Sequence, residues 1–117
     1  MTEKIEKIAE LIAQAAGDKK ARDIAILDMT NISPVTDFFV VASAGTVIQA
    51  QAVADNIEDV LAEAGVELLR KEGFRDSRWI LLDYGDAVAH IFVQEDREFY
   101  NLERLWGDAK VRHFEVK

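Results

Sequence analysis

Gly85-Asp86 stands between two strand-like runs, residues 79–84 and 87–93, and this arrangement restricts the fold more than any other feature. A glycine-led two-residue loop between alternating residues predicts a tight hairpin, because such turns need positive φ. The turn also sets a register. Tyr84 then faces Ala87, Asp83 faces Val88, Leu81 faces His90 and Trp79 faces Phe92. Successive side chains point to opposite faces of a sheet. Ile80, Leu82, Tyr84, Ala87, Ala89 and Ile91 therefore share a nearly apolar face, predicted to lie under helices. Trp79, Leu81, Asp83, Val88, His90 and Phe92 share the other. Large rings, an imidazole and a carboxylate together suit a surface that meets a partner.

The rest of the chain supplies helices and further strands. Ile5, Ile8, Ala9, Leu11, Ile12, Ala15 and Ala16 recur at helical spacing over 3–16. Thr2 can cap that helix and Gly17 can end it. Lys19-Lys20-Ala21-Arg22 is a basic connector. Residues 23–28 read as a short buried strand, and 31–36, which hold the only proline, as a loop. Residues 37–43 are aromatic and β-branched, a second strand. Thr46 and Gln49 form a capping box before a long helix through Ala64, stopped by Gly65. Residues 66–72 read as a third strand. A last helix is predicted over 95–106, with Phe99, Leu102, Leu105 and Trp106 on its apolar face. Residues 107–117 form a polar tail with some β-like character. This order predicts one domain over 1–117, an α/β fold with a mixed five-stranded sheet and helices packed on it. The strand–helix–strand unit at 37–72 is expected to be a right-handed parallel crossover.

Composition narrows the function. With 117 residues, half of them hydrophobic and 31% charged, the chain can bury a core and stay soluble. No apolar run is long enough for a bilayer, and the N-terminus lacks the apolar core of a signal peptide. There is no cysteine, hence no thiolate chemistry and no disulfide, which fits a cytoplasmic protein. Two histidines, one near the C-terminus, argue against a histidine-based metal site. No cofactor is implied. A net charge of −8 and a pI near 4.7 argue against a free nucleic-acid binder, which needs a basic patch. They are compatible with a basic protein partner, and equally with acidity that serves solubility alone.

Catalytic sets are not assembled. Asp28, Asp37, Asp83 and Asp86 lie at strand ends, and Ser43-Ala44-Gly45-Thr46 joins a strand to a helix. Nucleotidyltransferases hold metal with aspartates one residue apart, and no D-x-D occurs here. No serine lies in a G-x-S-x-G elbow. His90 can pair with Asp83 or Asp37, but it has no nucleophile to activate, so a hydrogen-bonded sheet histidine is the simpler reading. Arg97 sits in the first turn of the last helix, where the dipole favours anions. It suggests a specific partner such as Glu103, Asp83 or another chain; a solvated arginine is the plain alternative. Trp79 and Tyr84 can equally be core.

A broader pattern runs through these residues. It includes Thr36-Asp37-Phe38-Phe39-Val40, Glu72-Gly73, the block W-x-L-L-D-Y-G-D from Trp79, H-x-F from His90, and R-x-F-Y-x-L-E-x-L-W from Arg97 to Trp106. Over about residues 3–110 the chain resembles the ribosomal silencing factors, the RsfS or Iojap-related family. Where that family usually has Ser-Gly and then a small or polar residue, this chain has Ser43-Ala44-Gly45-Thr46. The resemblance implies a nucleotidyltransferase-like sheet without its active site and a non-enzymatic role. It implies binding to ribosomal protein L-fourteen of the large subunit, a steric block to joining of the small subunit, lowered translation, and a homodimer when free. The residues expected at the partner surface are Trp79, Leu81, Asp83, His90, Arg97, Tyr100 and Glu103. A nucleotidyltransferase-like enzyme and a homodimeric adaptor unrelated to ribosomes are the rival readings.

These readings separate experimentally. Changing Asp28, Asp37 or Asp86 singly to Asn is expected to leave ribosome binding nearly unchanged in a folded protein. Magnesium-dependent nucleotide transfer that any of these changes abolishes would instead show an enzyme.

Overall fold

The structure is a computed structural model that describes residues 2–30, 36–73, 75–76, 78–94 and 110–114. Helix α1 (Thr2–Gly17) leads into strands β1 (Arg22–Asp28) and β2 (Phe38–Ala44). Helix α2 (Val47–Glu63) follows, then β3 (Arg70–Glu72), β4 (Trp79–Asp83), β5 (Ala87–Val93) and β6 (Lys110–His113). Among the described residues these strands make one six-stranded sheet in the order β3-β4-β5-β2-β1-β6. β2 and β5 run parallel and the other neighbours antiparallel.

The hairpin has the predicted register, with Trp79 opposite Phe92, Leu81 opposite His90 and Asp83 opposite Val88. Gly85 has φ +87°, and the Tyr84 N–H donates to the Ala87 carbonyl at 2.9 Å, which closes the turn. Ile80, Leu82, Tyr84, Ala87, Ala89 and Ile91 pack with Ile24, Ile26, Val40 and the buried sides of both helices into the main core. On the opposite face lies a smaller cluster of Ala25, Leu27, Met29, Val41 and Phe92, with Phe39 and Trp79 against it.

Four expectations are corrected. The sheet has six strands rather than five, because part of the 107–117 tail pairs with the free edge of β1: Val111 lies opposite Leu27 and Arg112 opposite Ile26. Strand β3 covers only Arg70–Glu72, not 66–72. Val66 still serves the helix before it, its N–H donating to the Leu61 carbonyl at 2.9 Å. β3 also does not lie beside β2. The chain after α2 folds as an antiparallel meander, and its last strand, β5, becomes the parallel neighbour of β2. Finally, α1 is ended by Lys20 (φ +69°) and not by Gly17. The Lys20 and Ala21 N–H groups donate back to the Gly17 and Ala16 carbonyls, a left-handed cap that usually takes glycine. Gly65 (φ +79°) does end α2 in this way. The helix predicted over 95–106 lies outside the described residues.

Thr46 caps α2 as expected, its hydroxyl accepting the Gln49 N–H at 3.1 Å. Gln49 does more than a capping box requires. Its Oε1 accepts the Gly45 N–H at 2.7 Å, and its Nε2 donates to the Lys19 and Lys20 carbonyls at 3.2 and 3.0 Å. One side chain thus ties the start of α2 to the end of α1. Asn56 adds a second tie through the Ala15 carbonyl at 2.8 Å.

Gln49→Ala is expected to lower stability by about 1–2 kcal/mol, read as a lower urea midpoint at unchanged slope. Lys20→Gly is expected to act oppositely, raising stability by roughly 0.5–1 kcal/mol through relief of the left-handed backbone.

Candidate functional site

The sheet face away from the helices carries the mixed set. Period-2 alternation on β4 and β5 puts Trp79, Leu81, Asp83, Val88, His90 and Phe92 there. The parallel partner β2 adds Phe39 opposite Val88 and Val41 opposite His90. On the other side β3 places Arg70 opposite Asp83. Thr36, Phe39, Arg70, Leu81, Asp83, Val88 and His90 line a shallow pocket of about 180 Å³.

His90 is the centre of this face and is only 4% exposed. The Trp79 indole N–H donates to its Nδ1 at 3.1 Å. That bond leaves the imidazole proton on Nε2 in the neutral ring. Nε2 itself has no hydrogen-bond partner. Phe39 meets the ring edge-on at 4.6 Å, and Trp79 stacks on Phe92 at 4.8 Å. Burial pushes the His90 pKa down to about 4, with the Asp83 carboxylate pulling weakly the other way. At neutral pH the ring is an uncharged donor.

Asp83 stands at the pocket rim. Its Oδ1 accepts the Gly85 N–H at 2.8 Å, which braces the hairpin turn. Its Oδ2 lies 4.0 Å from Arg70 Nη2, and Arg70 Nε lies 4.0 Å from Glu72. Such long, exposed pairs add little stability. Gly73 holds the approach to β4. It has φ +79°, and a Cβ there would stand 1.9 Å from the Trp79 carbonyl oxygen.

Of the residues expected at a partner surface, the structure brings Trp79, Leu81, Asp83 and His90 onto one face. His90 is buried support there rather than an exposed anchor, and Trp79 is half-buried. Arg97, Tyr100 and Glu103 lie outside the described residues. Sequence reasoning missed Thr36, Phe39, Arg70 and Val88 as pocket walls. Alternation places Phe39 and Val41 on one face of β2, but nothing local says that β2 lies beside β5. The strand-end aspartates serve local structure: Asp28 Oδ1 accepts the Thr30 N–H at 3.0 Å and its hydroxyl at 2.6 Å. Among the described residues no three His, Cys, Asp or Glu side chains converge as a metal site, and no helix is long and apolar enough to cross a membrane.

A helix-backed mixed sheet with one open, polar-aromatic face defines a small α/β domain of the ribosomal silencing type. The family described as ribosomal silencing factor during starvation, RsfS, matches residues 2–117. The ribosomal silencing factor RsfS of Bacillus subtilis is 44% identical over 104 residues, covering 89% of this chain and 88% of its own. The chloroplastic protein Iojap of Zea mays is 35% identical over 98 residues, covering 84% of this chain and 42% of its own. A crystal structure from Chromobacterium violaceum superposes with a TM-score of 0.86 at 34% identity, covering 97% of this chain and 93% of that one. One from Bacillus halodurans gives 0.82 at 37% identity, covering 93% and 99%. The chain belongs to the RsfS family.

The buried imidazole has a measurable consequence. Its folded pKa, about 4, lies below its ordinary 6.5. Above pH 6.5 the ring is neutral in both states and contributes nothing to pH dependence. Between pH 6.5 and 4 the unfolded chain takes up a proton that the folded chain refuses, so stability falls with falling pH, by about 3 kcal/mol in all. His90→Asn retains an acceptor for the Trp79 indole and cannot titrate. Urea unfolding across this range is expected to show a shallower acid loss in that variant than in wild type.

Proposed function

We propose that the chain is a translation repressor that docks on ribosomal protein L-fourteen of the large subunit and blocks joining of the small subunit by steric overlap. Membership of the RsfS family over residues 2–117 carries this reading. The physical argument for a steric mechanism is one of scale. A 13.2 kDa domain has no need to reshape a ribosome. Subunit joining needs many simultaneous contacts, and a tightly held occupant at the shared surface obstructs them. A standard interface of about 1,600 Å² suffices to hold such an occupant.

The open sheet face is the proposed docking surface, centred on Leu81 and Asp83 with Trp79 and His90 behind them. Arg97, Tyr100 and Glu103 extend it in this proposal. The net charge of −8 supports steering toward a basic ribosomal protein. The sheet is read as nucleotidyltransferase-like but put to binding; the local turn bonds of Asp28 and Asp83 support that reading. The proposal places the protein in the cytoplasm and pairs it with a second copy when free of the ribosome.

The test is a sucrose gradient of separated subunits with added protein. Co-sedimentation with the large subunit alone, and fewer assembled ribosomes, is the expected result. Equal partition between subunits, or no binding, would sink the proposal. Asp83→Lys is expected to weaken large-subunit binding more than Asp83→Asn, since reversal adds repulsion where neutralisation only removes attraction. Circular dichroism checks that each variant is folded. Wild-type affinity in folded Asp83→Lys would move the docking surface elsewhere.

A further inference from the structure

We propose that the pocket on the open sheet face receives one uncharged carboxamide side chain, Asn or Gln, from the protein partner. This rests on the reading above that the face docks a protein, and it adds the chemistry of the inserted group. The pocket volume of about 180 Å³ is the first argument. It falls below the roughly 300–1,000 Å³ of small-molecule sites, so it suits a single side chain. Phe39, Leu81 and Val88 supply apolar walls for a stem.

Two polar groups define the tip. The His90 ring turns Nδ1 toward Trp79, which is not a wall of the pocket, so the edge bearing Nε2 is left for the pocket side. With Nδ1 accepting, Nε2 carries hydrogen and is a donor without an acceptor. A buried donor left unpaired is costly, and Nε2 is shielded from solvent, so it gains a bond only from a group inserted beside it. Asp83 is the second group. Gly85 occupies Oδ1, while Oδ2 has only Arg70 at 4.0 Å, too long for a hydrogen bond. Oδ2 is therefore an available acceptor.

These groups select among side chains. A carboxylate would accept from His90 but meet the Asp83 charge. An ammonium would pair with Asp83 but present hydrogens to the His90 N–H. A carboxamide satisfies both, its oxygen accepting from Nε2 and its NH2 donating to Oδ2. A hydroxyl also gives and accepts, but at one atom. His90 and Asp83 occupy diagonal positions across β4 and β5, roughly 7–8 Å apart, which suits a group whose donor and acceptor are separated.

The test uses full-length protein in two independent arms. In the first, affinity for large ribosomal subunits is measured at low and high salt. His90→Asn retains the acceptor for Trp79 and deletes the donor toward the pocket. It is expected to weaken binding about tenfold, a typical cost of one deleted hydrogen bond. Leu81→Trp fills the pocket, leaves both polar groups in place, and is expected to weaken binding at least as much. Asp83→Asn is expected to lose affinity by a factor that does not change with salt. Wild-type affinity in folded His90→Asn or Leu81→Trp overturns the proposal. So does an Asp83→Asn loss that grows as salt is lowered, which marks a cationic occupant. In the second arm, imidazole nitrogen NMR follows His90 during titration with N-acetylglutamine amide and its lysine and glutamate counterparts. Only the glutamine compound is expected to shift Nε2–H. No shift, or a shift with the charged compounds instead, overturns the pocket assignment even if the subunits bind. Absence of wild-type subunit binding sinks the silencing reading, and the titration then decides the pocket by itself.

Discussion

Strand β5 is buried along its whole length on both faces, and the rest of the molecule is arranged around that constraint. A strand buried on both sides needs apolar cover from two directions and hydrogen bonds from two neighbours. β4 supplies one set through the Gly85-Asp86 hairpin, and β2 supplies the other in parallel. A slip of one residue would exchange the two faces and bring His90 and Asp83 under the helices. The register is therefore held by the core as well as by the turn.

The two faces then serve different ends. Beneath the helices, alanine and branched residues pack closely enough for α1 and α2 to lie flat on the sheet. Gln49 and Asn56 bond the helices to each other through main-chain carbonyls of α1. On the open face the side chains are larger and partly polar. The indole–imidazole bond fixes the ring of His90, and packing against Phe39 and Phe92 shields it. The outcome is a rigid, neutral donor under a shallow pocket with a carboxylate at its rim. Rigid aromatic groups with polar handles are what binding surfaces favour, because little side-chain entropy is lost on contact.

Membership of the RsfS family gives this face a biological setting. A regulator that acts by occupancy needs a firm surface more than a moving part. The two strained backbone positions at Lys20 and Asp23 lie at the basic connector between α1 and β1. The pocket face is instead built on strands, which hold side chains more precisely than loops do.

Much of the architecture was legible in the sequence. Alternation and a glycine turn encode the hairpin, its register and the division of its side chains between two faces. Thr46, Gln49 and Gly65 mark the ends of α2 through the local chemistry of caps. These features depend on residues a few positions apart, so a linear reading reaches them. The parallel meeting of β2 with β5, the added edge strand β6 and the shortened β3 depend on which strand edges remain unpaired once the core has formed. The same holds for the site. Trp79, Leu81, Asp83 and His90 fall on one face by periodicity alone. The burial of His90, the use of its Nδ1 by Trp79, and the arrival of Phe39 and Arg70 as pocket walls do not. Those follow from strand neighbours distant in sequence, and hydrogen bonding and burial are properties of neighbours in space.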